Sequence, residues 1–379
     1  MINKNILIIA GEASGDLHGS ALISEIKNID PSINFFGIGG EKMKNSGMNI
    51  LYSIDKLAFL GFTEVVKHIP FIKKVQRDII RLVKEKEIKN AVLIDYPGFN
   101  LSLAKKLKKS GVYVFYYISP QIWAWGAGRI NKIRLLINKM IVVFPFEETL
   151  YRNNNVDAEF VGHPLLERIN EYVLCSRDEF YKKFDLDRTK EILLILPGSR
   201  ENEITHIFPL AIKAAEKISS EFNLQTIVAC ADNIDINIFN KIGDTRNYKI
   251  IKGFNYDLMN LAKIGIIKSG TSTLEAGLFS LPMVIVYKTG LLTYLIGKKL
   301  IKLDTIGMAN IIAGEKIVPE LIQAEANENN IYLECKRILS DSILYGSIKR
   351  KLTIIKDKLG QLGASRNAAQ LICRVLNEF

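Results

Sequence analysis

Short apolar runs alternate along this chain with stretches whose apolar positions fall at helical spacing. In the first half the runs are Ile6–Ala10, Asn34–Gly37, Ala91–Ile94, Val112–Ile118 and Met140–Phe144. Their near-continuous aliphatic and aromatic content predicts strands buried on both faces. Between them, Leu17–Lys27, Phe71–Glu87 and Leu101–Lys109 have helical spacing. In the second of these Ile72, Val75, Ile79, Leu82 and Val83 share one stripe, and basic residues occupy much of the rest. The pattern then restarts. Ile192–Leu196, Gln225–Ala229, Ile264–Ile267 and Met283–Val286 predict strands, with helices over Phe208–Glu221 and Thr273–Phe279. Ser340–Phe379 has helical character to the end. Strand–helix–strand order implies parallel sheets covered on both faces. The restart implies two doubly wound α/β units facing a cleft, placed at residues 1–165 and 166–355, with a C-terminal helical segment over 356–379.

The length of 379 residues suits two domains. With 48% hydrophobic and 24% charged residues, either half can bury a core, which excludes a disordered chain. The 51 Lys and Arg against 40 Asp and Glu leave +11, which favours an anionic partner: nucleic acid, a phosphorylated substrate or an acidic membrane face. Cys175, Cys230, Cys335 and Cys373 form no C-x-x-C pair, so they read as buried thiols in a reducing compartment rather than zinc ligands. The apolar run near the N-terminus is too short for a signal peptide, and no window reaches the roughly 18 apolar residues that span a bilayer. A cytoplasmic protein is expected, free to lie on a membrane surface.

Ligands of open parallel sheets bind beyond the carboxyl ends of the strands, so the loops there carry the candidate chemistry. In Gly11-Glu12-Ala13-Ser14-Gly15-Asp16 the glycines allow tight turns, while Glu12 and Asp16 would repel a phosphate. A carboxylate here accepts hydrogen bonds from sugar hydroxyls, or Ser14 or Asp16 simply caps the helix. Asp95, in Asp95-Tyr96-Pro97-Gly98-Phe99-Asn100, ends a wholly apolar strand, an expensive place for a charge that has no use. It suits a general base, or a turn before Pro-Gly. Ser119-Pro120-Gln121-Ile122-Trp123-Ala124-Trp125 holds both tryptophans, which can stack on a ring, sit at a lipid interface or plug the domain junction.

In the second half, Leu196-Pro197-Gly198-Ser199-Arg200 lets the backbone approach a diphosphate, with Arg200 bridging its oxygens. Ser269-Gly270-Thr271-Ser272-Thr273-Leu274-Glu275 repeats the device with hydroxyl donors, and Glu275 can accept two ribose hydroxyls or serve as a dipole-friendly helix residue. Asp185-x-Asp187 lies in a polar segment with no strand before it and reads as a solvated helix end rather than a metal site. His163 stands in Val161-Gly162-His163-Pro164, at the hinge between the halves.

GEASGD, IDYPGFN, YYISPQIWAW, FPFE, VGHPL, LPGSR and SGTSTLE occur in one order, with Asn310 and Gln323 downstream. This ordered set resembles the lipid-A-disaccharide synthase family over about residues 6–370. The resemblance implies an inverting, metal-independent glycosyltransferase of the two-Rossmann GT-B type, without a cofactor, whose C-terminal helix packs back on the N-terminal domain. The family transfers a 2,3-diacylglucosamine from UDP to 2,3-diacylglucosamine 1-phosphate (lipid X). The product is the β-1,6-linked lipid A disaccharide 1-phosphate, a precursor of the outer-membrane lipopolysaccharide of Gram-negative bacteria. Resemblance puts the catalytic acid at Asp95 and the key arginine at Arg200. It sets Gly198, Ser199, Ser269, Gly270, Thr271, Ser272, Glu275, Asn310 and Gln323 beside the UDP. Glu12, Ser14, Asp16, Asn100, Trp123, Trp125 and His163 fall to the acceptor side. The family's loop can carry a second acid where this chain has Gly98, which leaves Asp95 as the carboxylate of the segment.

Acylated substrates imply docking on an anionic inner-membrane surface. Phe59, Leu60 and Phe62, flanked by Lys73, Lys74 and Arg77, form one apolar-basic stretch; Leu291–Ile296 with Lys298, Lys299 and Lys302 forms another. Both could equally be core helices. Oligomeric state stays open, a homodimer among the options. A UDP-N-acetylglucosamine epimerase or peptidoglycan-type transferase would share the C-terminal nucleotide loop but lacks the GEASGD, IDYPGFN and WAW set. A nucleic-acid binder would need a motif that does not accompany the charge, so no nucleic-acid partner is expected. G-E-A-S-G-D is not the G-x-G-x-x-G of a dinucleotide-binding dehydrogenase.

Overall fold

The apolar runs are the central strands of two parallel sheets. In the computed structural model, which describes residues 4–56, 69–123, 127–242, 247–290 and 305–378, Met1–Glu167 with Leu359–Phe379 form one compact unit and Arg168–Lys358 the other. Phe59, Leu60, Phe62, Trp125 and the stretch Leu291–Ile296 with Lys298, Lys299 and Lys302 lie outside the described residues.

The first unit holds a seven-stranded sheet in the order β3-β2-β1-β4-β5-β6-β7. Its strands are β1 (Asn5–Ala10), β2 (Asn34–Gly39), β3 (Met48–Ser53), β4 (Asn90–Ile94), β5 (Tyr113–Tyr117), β6 (Lys139–Val142) and β7 (Ala158–Phe160). Every neighbouring pair is parallel. Leu7, Ile9, Leu93, Val114, Tyr116 and Val142 belong to one continuous buried core with the helices that cover them. The second unit holds a six-stranded sheet in the order β10-β9-β8-β11-β12-β13. These are β8 (Glu191–Leu196), β9 (Leu224–Cys230), β10 (Lys249–Lys252), β11 (Ala262–Lys268), β12 (Met283–Tyr287) and β13 (Glu320–Ile322), again all parallel. In each sheet the order reverses beside the first strand, between β1 and β4 and between β8 and β11. At such a reversal the chains leave in opposite directions and open a crevice. The loops singled out in the sequence at 11–16, 95–100, 197–200 and 269–275 are the four that flank these two reversals.

Several helices start earlier than the apolar spacing predicts. Helix α1 spans Ala13–Ile29, α4 Pro97–Lys109, α9 Glu201–Phe222 and α12 Thr271–Leu278. A first helical turn that projects past the sheet touches no core, so it carries no apolar periodicity. Capping and proline geometry set its start instead, as Pro97 does at the first turn of α4. Part of three motifs, residues 13–16, 97–100 and 271–275, is thus the first turn of a helix, while 197–200 lies before α9. The C-terminal stretch is not one helix but two, Ser342–Lys358 and Ala364–Leu376, broken where Gly360 (φ 85°) and Gly363 (φ 101°) take left-handed backbone. The last of these packs on α1. It is tied down by Glu167, whose oxygens accept from the Ser365 amide at 2.9 Å and hydroxyl at 2.8 Å, and by Asn367, which donates to the Val161 carbonyl.

Candidate active site

At the reversal of the first sheet, the chain leaves β4 through two consecutive left-handed residues, Asp95 (φ 43°) and Tyr96 (φ 47°), and leaves β5 through a third, Ile118 (φ 61°). Non-glycine residues adopt this region at a cost of about 1–3 kcal/mol each. The surroundings hold it in place. The Asp95 amide donates to the Tyr117 carbonyl at 3.0 Å. Its own carbonyl accepts from the Tyr116 hydroxyl at 2.5 Å and from Asn100 Nδ2 at 2.7 Å. The Tyr96 ring lies over Gly11, where any Cβ would collide with it. These contacts fix the Asp95 peptide and leave its carboxylate at the end of the strand. Burial pushes that carboxyl up to about 6, and the charge of Glu12, on the neighbouring loop, pushes the same way.

Other expected acceptor residues separate into exposed groups and clamps. Glu12 and Ser14 are exposed on the first turn of α1. Asp16 is a correction: it is 4% exposed. Its Oδ1 accepts from the amides of Gly40 (2.6 Å) and Met43 (3.1 Å), and Oδ2 from Lys42 (3.2 Å). It caps the short helix α2 (Glu41–Asn45) rather than facing a sugar. Asn100 is also a correction, being fully buried and bonded to the carbonyls of Ile94 and Asp95. It positions Asp95. His163 accepts from the Leu165 amide at 3.1 Å through Nδ1 and packs on Phe144.

The loop after β5 is held by a group in the helix that follows β6, one to which sequence reasoning assigned no role. Glu147, 1% exposed, stands in α6 (Pro145–Arg152). Its Oε1 accepts from the Ser119 hydroxyl (2.7 Å) and Trp123 Nε1 (3.0 Å), and Oε2 from the Phe144 amide (3.3 Å). Burial raises it to about 7 against the pull of those donors. Trp123 is edge-on to Phe144 and Phe146. It is therefore anchored through its nitrogen. The signal in the sequence was the acid two residues after Pro145, the usual place for a carboxylate in a helix's first turn.

At the second reversal, Gly198 (φ 129°) and Ser199 lead into Arg200, the residue before α9. Glu203 organises this turn. Its Oε2 accepts from the Ser199 amide at 3.1 Å; its Oε1 pairs with Lys268 Nζ at 2.8 Å and with the Arg200 guanidinium at 3.6 Å. The Arg200 side chain is 80% exposed, ready to move to a ligand. Gly270 (φ 155°) precedes α12. Thr273 closes that turn by donating to the Gly270 carbonyl (2.7 Å) and accepting from the Met308 amide (3.0 Å). Thr271 is exposed and Ser272 half-buried. Glu275 Oε1 accepts from Arg168 (2.7 Å) and from the Tyr256 hydroxyl (3.3 Å). Burial raises its carboxyl and the guanidinium opposes the shift.

Three residues expected beside the nucleotide hydrogen-bond within the second unit. Asn310, 1% exposed, accepts from the amides of Ile317 and Val318 and donates to the Val318 carbonyl and Glu320. Gln323 bonds both the amide and the carbonyl of Thr289. The Ser269 hydroxyl donates to the Ile306 carbonyl at 2.9 Å. All three hold the backbone of the second unit. Asp185 and Asp187 are exposed in the turn before β8, at the opposite end of that sheet from the glycine loops. Among the described residues, no group of three or more His, Cys, Asp or Glu could hold a metal ion, and no helix is long and apolar enough to cross a membrane. Lys73, Lys74 and Arg77 are exposed on α3 (Ile69–Glu85), opposite its buried Val75, Ile79 and Val83.

The family model for lipid-A-disaccharide synthetase matches residues 6–373. A lipid-A-disaccharide synthase of Geobacter metallireducens is 39% identical, over 99% of this chain and 98% of its own. Among solved structures, the S. aureus MnaA–UDP co-structure aligns with a TM-score of 0.69 at 12% identity, over 99% of this chain and 98% of that one. CalG4, the calicheamicin glycosyltransferase, aligns with a TM-score of 0.62 at 12% identity, over 100% and 99%. At such identity the likeness is one of fold, the GT-B architecture.

Proposed function

Because this chain belongs to the lipid-A-disaccharide synthase family, we propose that its two units divide the family's transfer between them. The enzyme is a glycosyltransferase that joins two acylated glucosamines, UDP-2,3-diacylglucosamine and 2,3-diacylglucosamine 1-phosphate, and releases UDP. The first unit activates the acceptor. The second holds the donor.

Asp95 is the general base. It takes the proton of the acceptor 6-hydroxyl as that oxygen bonds to the anomeric carbon. The bond from the same carbon to the diphosphate breaks, its electron pair leaves with UDP, and the configuration inverts. A base works best when its pKa lies close to the working pH. The observation that carries this reading is the Asp95 carboxyl, pushed up to about 6 on a peptide locked by Tyr116 and Asn100. Such a carboxylate is largely ionised at neutral pH yet more basic than an ordinary aspartate. On the donor side, charge develops on the departing diphosphate. Arg200 and the amides at the starts of α9 and α12 are there to receive it. Glu275, fixed by Arg168 and Tyr256, receives the ribose hydroxyls. Asn310, Gln323 and Ser269 keep the surrounding backbone in shape.

No metal is assigned a part. The acyl chains demand an interface, and the exposed basic face of α3, with Lys73, Lys74, Arg77, Arg81 and Lys84, supports peripheral docking on the anionic cytoplasmic leaflet, each cation contributing about 1 kcal/mol. The deciding experiment is transfer from UDP-2,3-diacylglucosamine to radiolabelled lipid X in EDTA. A labelled disaccharide is expected. Product only after Mg²⁺ or Mn²⁺ is restored would overturn metal independence, and UDP binding without any product would overturn the reaction assigned.

A further inference from the structure

We propose that Lys268 is a second donor-binding cation beside Arg200, and that Glu203 holds the place of the donor's diphosphate until the donor arrives. The proposal rests on the donor site assigned above and extends it to residues that neither the motifs nor the family resemblance pointed to.

Lys268 ends β11, on the reversal of the second sheet. Its side chain is 20% exposed and its Nζ lies 2.8 Å from Glu203 Oε1. A Cβ built on Gly270 would come within 3.5 Å of that Nζ, and one on Gly198 within 2.5 Å of Glu203 Oε2. The Lys268–Glu203 pair therefore occupies the space that both glycine turns keep clear. The partners of the Glu203 carboxylate are a backbone amide at a helix start (Ser199), an ammonium (Lys268) and a guanidinium (Arg200). These are the donors a phosphate oxygen takes. Carboxylate and phosphate oxygens compete for them on equal geometric terms. The phosphate has the advantage in charge, because two cations face one carboxylate and a diphosphate is the stronger anion. A lysine can make the exchange without backbone movement, since its three donors rotate on a flexible four-carbon stem. Arg200, only loosely paired at 3.6 Å, follows.

The chemistry recognised is a nucleoside diphosphate, so the test separates diphosphate from nucleoside. Binding of UDP and of uridine is measured for the wild type, Lys268→Met, Lys268→Arg and Glu203→Gln. Lys268→Met is expected to weaken UDP by at least about tenfold, the worth of one charge-assisted hydrogen bond, and to leave uridine unchanged. Lys268→Arg should keep most of the UDP preference. Glu203→Gln should tighten UDP, because the competing charge is gone while the amide oxygen still accepts from Ser199. If Lys268→Met weakens UDP and uridine alike, or neither, Lys268 only braces Glu203 and the proposal is overturned. Should that variant fail to fold, unchanged or weaker UDP binding by Glu203→Gln overturns it as well. Wild-type protein that binds no UDP would bring down the donor site itself, a separate and recognisable failure.

Discussion

The two sheets share one plan and do opposite things with it. Each reverses its strand order beside its first strand and sends two helices away from the reversal. In the first unit the exits carry Glu12 and Asp95, and the turn is made by strained non-glycine residues, Asp95, Tyr96 and Ile118. In the second the exits carry Gly198 and Gly270, with Arg200, Lys268 and hydroxyls around them. A helix start attracts anions. On the proposed reading the second unit uses that attraction. The first unit buries Asp95 at a strand end, and that burial, aided by the charge of Glu12, raises its carboxyl toward neutrality. The fold supplies the crevice, and on the proposed reading the side chains at the strand ends and helix starts decide whether it receives an anion or takes up a proton.

The largest break in that contrast comes from removing each unit's defining group. Asp95→Asn should cut turnover by about 10²–10⁴-fold, the usual worth of a positioned base, while UDP affinity stays at the wild-type value. Arg200→Ala should cost about 10²–10³-fold in turnover and weaken UDP as well. Single-turnover kinetics and UDP titration on both variants check this, and loss of UDP binding in Asp95→Asn would contradict the division. The same substitution should stabilise the fold. Asp95 is raised from 3.8 to about 6, so the native state holds this proton more tightly than the unfolded chain. Stability then falls as pH rises from about 4 to 6. Above that window the ionised carboxyl costs up to about 3 kcal/mol. Asn removes that cost and tolerates left-handed backbone. Denaturant unfolding at pH 7 should favour Asp95→Asn, with the gap closing below pH 4.

The strands and the two reversals were legible because buried strands are written as uninterrupted apolar runs. Helix starts were not, because a first turn beyond the sheet has no core to face. Residue type alone also misassigned several polar groups. Asn310, Gln323, Asp16 and Asn100 look like ligand contacts in a motif. Each makes at least one hydrogen bond to backbone, and for some the partner is far away in sequence, such as Gly40 for Asp16 or Thr289 for Gln323. Lys268 was hidden for the converse reason, since a lysine closing a strand resembles any solvated end. The apolar stretch around Phe59, Leu60 and Phe62, expected at a membrane surface, lies outside the described residues.

A smaller effect sharpens the electrostatic half of the comparison. Glu12 contributes to the upward shift of Asp95, so Glu12→Gln should lower that pKa and move the acid limb of kcat/KM, expected near pH 6, toward lower pH. Activity at pH 5.5 should rise relative to activity at pH 7.5 in this variant. An acid limb at the wild-type position would mean that Glu12 is screened from Asp95.

The smallest expected effect concerns how each unit fixes its loop. Both use a glutamate near the start of a helix. Glu203 is paired with two cations, whereas among the described residues the donors to Glu147 are neutral, Ser119, Trp123 and the Phe144 amide among them. Burial outweighs these neutral donors, and Glu147 rises to about 7. Near neutrality a fraction of the molecules hold it protonated, and a protonated carboxyl accepts the Trp123 indole less strongly. In a Trp125→Phe background Trp123 is the sole tryptophan of the chain, which has two. Its emission should shift with a midpoint near pH 7, and the shift should vanish with Glu147→Gln, which cannot titrate but can still accept. Turnover in Glu147→Gln should change by only a few-fold, since the residue acts through the loop and not on the reacting atoms. A transition that persists in the glutamine variant would assign it to another group and leave Glu147 as a plain loop anchor.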